Sequence, residues 1–101
     1  MANFEIKFKF FIYKKGKESI ESARKNPRID HCFISQSDVP STETYNDLLD
    51  EAYKSFVQWS QKLLCDSTIT PTYEENGDTL IASCSVEDGE NVSRTELHII
   101  V

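Results

Sequence analysis

Apolar and polar positions follow two different periods along this chain, and the longest helical pattern runs from Tyr45 to Leu64. Within YNDLLDEAYKSFVQWSQKLL the apolar residues recur at spacings of three and four, which is typical of an amphipathic helix. The central stripe and its two flanks contain Tyr45, Leu49, Ala52, Phe56 and Leu63, then Leu48 and Trp59, and then Tyr53, Val57 and Leu64. The pattern predicts one long helix that covers a single core.

The apolar surface of this helix is wider than one sheet requires. Its apolar residues span an arc of about 180°, whereas packing on a single sheet needs about 100°. One flank must therefore be covered by the segment 14–40 or by another chain. Trp59 is accordingly a candidate contact with a partner protein, and a homo-oligomer is the alternative if that partner is a second copy.

Residues 3–13 alternate with the period of a strand. One face carries Phe4, Ile6, Phe8, Phe10 and Ile12, and the other carries Glu5, Lys7 and Lys9. Phe11 and Tyr13 make the second face apolar near the end of this strand, so we expect that end to be covered on both sides. Residues Ile29 to Ser35 predict a short strand that returns beside the first.

Three further strands follow the helix. They are predicted at Thr68 to Tyr73, Thr79 to Val86 and Ser93 to Val101. Asn76-Gly77 and Asp88-Gly89 favour two-residue hairpin turns between them, since these residues accept positive φ angles. Pro71 lacks a backbone N–H, which places the first of the three strands at a sheet edge.

These elements predict a single α+β domain over residues 1–101. The architecture is two-layered, with one long helix on one face of a mostly antiparallel sheet of four or five strands, in the order β-β-α-β-β-β. The polar stretch 14–27 is predicted to be a loop with a short helical turn, and Thr44 with Asp47 fits a capping box at the start of the long helix. The second sheet face is rich in Thr, Ser and charge, and we expect it to be largely wet.

Charge is distributed unevenly around a net charge of −6. Residues 1–28 contain eight of the eleven basic residues against three acids, which gives them +5. Residues 29–101 contain fourteen acids against three basic residues, which gives them −11. The amino-terminal residues lack the pattern of a signal peptide and no run has the length of a membrane span, so we expect a soluble, cytoplasmic protein without a membrane role.

The residue types that could support catalysis or bind a metal are few. Asp30-His31-Cys32, Cys65 and His98 are of the types that a thiol nucleophile or a zinc site needs, but their spacing matches no ligand pattern. The three cysteines are expected to be free thiols, and the three glycines belong to no phosphate-binding motif. We therefore expect no catalytic residues, no metal and no cofactor, and a protein that is not an enzyme.

Two binding hypotheses remain. The first is a small acidic protein-interaction module, such as a stoichiometric inhibitor, an immunity-type protein or an adaptor, with a basic or nucleic-acid-binding protein as a candidate partner. The candidate contacts are Glu43, Asp47, Asp50, Glu51, Trp59, Glu74, Glu75, Asp78, Glu87 and Asp88. Capping and solubility also favour acids at helix starts and hairpin tips, so these residues have a purely structural explanation as well.

The alternative is a binder of an anionic ligand or nucleic acid. Its contacts would be the basic residues Lys14, Lys15, Lys17, Arg24, Lys25 and Arg28. Two observations weigh against nucleic acid: the sequence pI is about 4.8 and no aromatic residue lies among these basic residues. A basic loop that faces the acids of its own domain explains the same pattern.

Overall fold

The sheet and long helix predicted from the sequence are both present. The computed structural model describes residues 4–36 and 42–100, without the side chains of residues 4, 33–36 and 42–45. The elements are β1 (Phe4–Lys14), α1 (Ile20–Arg24), β2 (Ile29–Gln36), α2 (Thr42–Leu63), β3 (Thr72–Asn76), β4 (Thr79–Asp88) and β5 (Asn91–Ile100).

The five strands form one antiparallel sheet in the order β2-β1-β5-β4-β3. This confirms the α+β class and the arrangement of a helix on a mostly antiparallel sheet. The long strands β1 and β5 lie at the centre, and Lys9 is opposite Glu96 across that pair. Strand β3 lies at an edge, as predicted from Pro71, but it begins at Thr72 and ends at Asn76, later than the predicted Thr68 to Tyr73.

The helix α2 packs on the face of the sheet that carries Phe8, Leu97 and Ile99; we call it the helix face. Among the described side chains of α2 and the residue after it, the deepest are Ala52, Phe56, Ser60 and Leu64. The predicted stripe had Leu63 in place of the last two. Ser60 escapes a hydrophobic pattern because it is polar, and its hydroxyl is hydrogen bonded to Thr95 Oγ1 at 2.7 Å in the core.

The start of α2 differs from the prediction. The helix begins at Thr42, so the backbone of Thr44 is already helical and Thr44 is not the residue that precedes the helix. The capping box predicted at Thr44 and Asp47 is therefore wrong. The helical pattern places Tyr45 in the apolar stripe, but its side chain lies outside the described residues.

Both hairpin turns are displaced by one residue from their predicted positions. Asn76 pairs with Thr79, so the turn residues are Gly77 and Asp78, and the β4–β5 turn likewise consists of the residues 89–90. Gly77 has φ 63° and is the first of its pair, which is where a type II′ turn needs glycine. The position of the glycine therefore determines which two residues form the turn.

The expectation of a largely wet second face is wrong. The short helix α1, capped by Ser19, covers this face and buries Ala23 against it. Phe11, Ile81 and Val92 are buried there as well, so the domain has apolar packing on both sides of its sheet. No helix in the described part of the chain combines the length and apolar character needed to cross a membrane.

Candidate interaction surfaces

A buried carboxylate organises the second face. Glu96 is fully buried in the middle of β5, and the residues two positions away on either side, Arg94 and His98, share its face. Arg24, from α1, donates from Nε to Oε1 at 2.6 Å and from Nη2 to Oε2 at 2.7 Å. Arg94 Nε donates to Oε2 at 2.8 Å, and His98 Nε2 lies 2.8 Å from Oε1.

The surrounding groups keep Glu96 ionised. Burial by itself raises the pKa of a carboxyl, but the hydrogen bonds from His98, Arg24 and Arg94 outweigh it and lower the pKa of Glu96 to about 2. An ionised carboxylate only accepts hydrogen bonds, so Nε2 of His98 carries a proton and donates it. Each oxygen of Glu96 thus accepts two hydrogen bonds. The resulting charge cluster is structural and joins α1 to β5.

The basic stretch faces acids of its own domain. Lys15 Nζ lies 3.2 Å from Glu87 Oε2, and Lys17 Nζ lies 3.7 Å from Glu90 Oε2. Arg24 forms an ion pair with Glu96, and its Nη2 also lies 3.4 Å from Glu74 Oε1. Of the six residues proposed to bind anions, these pairs therefore occupy three.

Lys14, Lys25 and Arg28 are exposed. Lys9, Arg24 and Lys25 do line one open depression of about 340 Å³, but Glu21 lines it too. The positive potential of this surface is therefore reduced by nearby carboxylates. The geometry gives the anion-binding hypothesis less support than the sequence did.

The acidic candidates occupy two ends of the molecule. The β3–β4 and β4–β5 turns lie at opposite ends of β4, whose 10 residues span about 30 Å. Glu74, Glu75 and Asp78 are at the first end, and Glu87 and Asp88 are at the second. They do not form one continuous surface.

The direction of α2 assigns the helix acids to the first end. The Tyr53 ring is 5.8 Å from the Tyr73 ring at β3, and Ser60 reaches Thr95 farther from the Gly77 turn. The amino-terminal half of α2 therefore lies towards that turn. We use the name acidic end for the exposed acids there that take part in no described ion pair: Asp47, Asp50, Glu51, Glu75 and Asp78. Glu43 belongs to the same half of α2, but its side chain lies outside the described residues.

A groove lies between α2 and the edge strand β3. It encloses about 290 Å³, and we call it the edge groove; its lining is Tyr53, Tyr73, Glu74, Glu75, Leu80 and Ile81. Tyr73 is 66% exposed and Leu80 is 38% exposed. Exposed large apolar side chains beside a groove are a feature of binding surfaces rather than of a closed core. In the sequence the two hairpins stand out by their charge, and no pattern there indicates that Tyr73 and Leu80 are exposed.

The two flanks of α2 have different surroundings. The half-buried ring of Trp59 lies 5.2 Å from that of Phe8 and 6.3 Å from that of Phe56, so it belongs largely to the core. Since α1 lies on the opposite sheet face, it covers neither flank. The other flank, with Tyr53 and Val57, borders a second depression of about 330 Å³ next to the edge groove. Trp59 is therefore largely covered within the domain, whereas the flank with Tyr53 and Val57 borders two depressions of the surface.

The candidate thiol and metal residues remain apart. Cys32 is exposed in β2 and Cys65 is exposed in the turn after α2, whereas Cys84 is buried, and burial raises the pKa of its thiol. His98 is bound to Glu96 on the second face. The described residues contain no group of three or more His, Cys, Asp or Glu side chains that could hold a metal ion.

Comparisons with other proteins give no relative. Neither the protein-family models nor the curated proteins nor the solved structures contain a match to this chain.

Proposed function

We propose that this protein is a small interaction module that acts by binding another protein and has no catalysis of its own. The observation that carries the proposal is the edge groove, where Tyr73 and Leu80 are exposed next to carboxylates. Aromatic residues in a concave surface with a polar rim are the usual anchors of protein interfaces. An inhibitor, an immunity-type protein or an adaptor needs only such a surface.

The charge distribution favours a basic partner. Lys15 and Lys17 of the basic stretch pair with Glu87 and Glu90 at one end of the sheet. At the other end Arg24 and Arg94 pair with Glu74, while no described ion pair includes Glu75 or Asp78. The acidic end therefore retains a negative potential close to the edge groove. Such a potential attracts a positively charged partner and accelerates its association.

Quantitative capture from a native lysate tests the proposal with a matched pair of variants. Tyr73→Thr removes the exposed ring while keeping strand propensity, and Ile29→Thr makes a similar change at an apolar residue that is 37% exposed on the opposite edge strand. We expect Tyr73→Thr to reduce recovery of the partner by about tenfold and Ile29→Thr to leave it unchanged. A partner that is recovered equally with both variants, or no partner at all, would contradict the proposal.

A further inference from the structure

The outer edge of β3 offers unpaired backbone groups beside the edge groove. Within the described residues, β3 is the last strand of the sheet and pairs only with β4. Asn76 and Thr79 flank the two-residue turn and form a hydrogen-bonded pair. Since hydrogen-bonded and non-hydrogen-bonded pairs alternate in an antiparallel ladder, Tyr73 and Glu75 direct their N–H and C=O groups away from β4.

The same two residues face the groove with their side chains. Strand residues alternate between the two faces, and the contact between the rings of Tyr73 and Tyr53 shows that Tyr73 is on the helix face. Glu75, two residues later, shares that face, and both residues line the edge groove. Backbone hydrogen-bonding capacity and an apolar groove thus coincide at one site.

We propose that β3 accepts an extended segment of a partner protein as a sixth strand, and that this segment combines apolar with basic side chains. The proposal rests on the proposed function and specifies the partner. Backbone hydrogen bonds to Tyr73 and Glu75 would hold the segment, while its alternate side chains would contact the edge groove. Lys or Arg side chains of the segment would reach Glu75 and Asp78.

Charge argues against a second copy as the occupant. Every residue of β3 is exposed, and its sequence TYEEN contains two glutamates with no basic residue. Pairing two β3 strands would bring these carboxylates together, and like charges across a strand pair are destabilising. The net charge of −6 on each chain adds to the repulsion. Charged edges deter pairing with like copies, whereas a basic segment meets attraction.

The test begins with a displayed library of random linear peptides selected against the full chain. We expect the enriched peptides to alternate apolar and basic residues without proline. Their binding should weaken as the salt concentration rises, because exposed charge pairs are screened. Amide hydrogen exchange measured by NMR should show the N–H groups of Tyr73 and Glu75 becoming protected on binding. The N–H of Glu74 is directed towards β4 and should be protected both before and after binding.

Two substitutions at one position separate the backbone from the side chain. Glu75→Gln keeps the outward N–H and removes the charge, whereas Glu75→Pro removes the charge and the N–H without breaking a bond to β4. We expect Glu75→Pro to bind the selected peptide about tenfold more weakly than Glu75→Gln, which is the effect of one hydrogen bond at the upper end of its range. Circular dichroism would verify that both variants retain the fold.

The remaining outcomes distinguish this inference from the proposed function. Peptides that bind without protecting Tyr73 and Glu75, or equally to both Glu75 variants, would overturn strand addition and leave groove binding intact. If no peptide is enriched but capture of a partner still depends on Tyr73, strand addition would likewise be overturned and groove binding would remain. A dimer in sedimentation that Tyr73→Thr dissociates would show that a second copy occupies the edge. If capture of the partner does not depend on Tyr73, both the proposed function and strand addition would be overturned.

Discussion

Arg24 and Glu96 are 72 positions apart in the sequence and form a two-bond ion pair beneath α1, with N···O distances of 2.6 and 2.7 Å. Glu96 is fully buried, and the Arg24 side chain is only 16% exposed. A guanidinium matches both oxygens of a carboxylate, which makes this geometry among the stronger charged contacts in proteins. The hydrogen bond to Glu96 in turn raises the pKa of Arg24. The pair fixes the short helix to the centre of the sheet.

Replacing this carboxylate should destabilise the protein strongly. Glu96→Gln keeps the shape but leaves Arg24 and Arg94 without their shared charge partner, so we expect the free energy of unfolding to fall by about 3 kcal/mol. The control is Glu75→Gln, an exposed glutamate on β3, which should change it by less than about 0.5 kcal/mol. Urea unfolding followed by circular dichroism measures both. Equal losses in the two variants would contradict a structural role for the cluster.

The same residue should make stability depend on acid. The pKa of Glu96 is about 2 in the folded protein against an ordinary value of 4.5. A carboxyl whose folded pKa is depressed contributes stability above its unfolded pKa, and that contribution is lost as the pH falls towards the folded pKa. We expect the native protein to lose about 3 kcal/mol more than Glu96→Gln between about pH 5 and pH 2. Urea titrations across this range would measure it, and parallel profiles would contradict the prediction.

The cysteines should react in two classes. Cys32 and Cys65 are exposed, whereas Cys84 is buried, and burial raises the pKa of its thiol, which disfavours the reactive thiolate. We expect a thiol reagent to label Cys32 and Cys65 in the native protein and all three cysteines after unfolding. Mass spectrometry after a short pulse of iodoacetamide counts them. Rapid native labelling of Cys84 would show that the core opens at β4.

The two acidic hairpins should differ in their effect on partner binding. The paired substitutions Glu75→Gln with Asp78→Asn and Glu87→Gln with Asp88→Asn remove the same charge from opposite ends of the sheet. We expect the first pair to weaken binding of the captured partner by about tenfold at low salt and the second pair to have little effect. Titration by fluorescence anisotropy at two salt concentrations measures this. Equal weakening by both pairs would indicate a non-specific effect of net charge.

Much of the fold is predictable because it depends on local periodicity. Phe8 lies on the core-facing side of an alternating strand, Ala52 and Phe56 lie on the core-facing side of a helical pattern, and all three are buried as their spacing predicts. Glycines 77 and 89 likewise mark the two hairpins, although register shifts each turn by one residue. These features involve residues close together in the chain, whose preferences act before any distant contact forms.

The edge groove and the charge cluster around Glu96 were less accessible to prediction, because both depend on contacts between residues that are distant in the sequence. The alternating pattern predicts that a charged residue in a strand is exposed, whereas the burial of Glu96 is made favourable by Arg24 from α1 together with Arg94 and His98. Ser60 is buried for a similar reason, since its partner Thr95 lies on another element. Charge counts indicated both the acidic hairpins and the basic stretch but not which charges would neutralise each other.

The sequence by itself determined the long helix, four of the five strands, the edge position of β3 and the opposition of basic and acidic halves. Only the tertiary structure decided that α1 covers the second face, that Lys15 and Lys17 turn towards Glu87 and Glu90, and that Tyr73 remains exposed beside Tyr53. The physical reason is that periodicity and turn preferences are local properties of the chain. Burial and charge pairing, in contrast, are set by which distant surfaces the fold brings together.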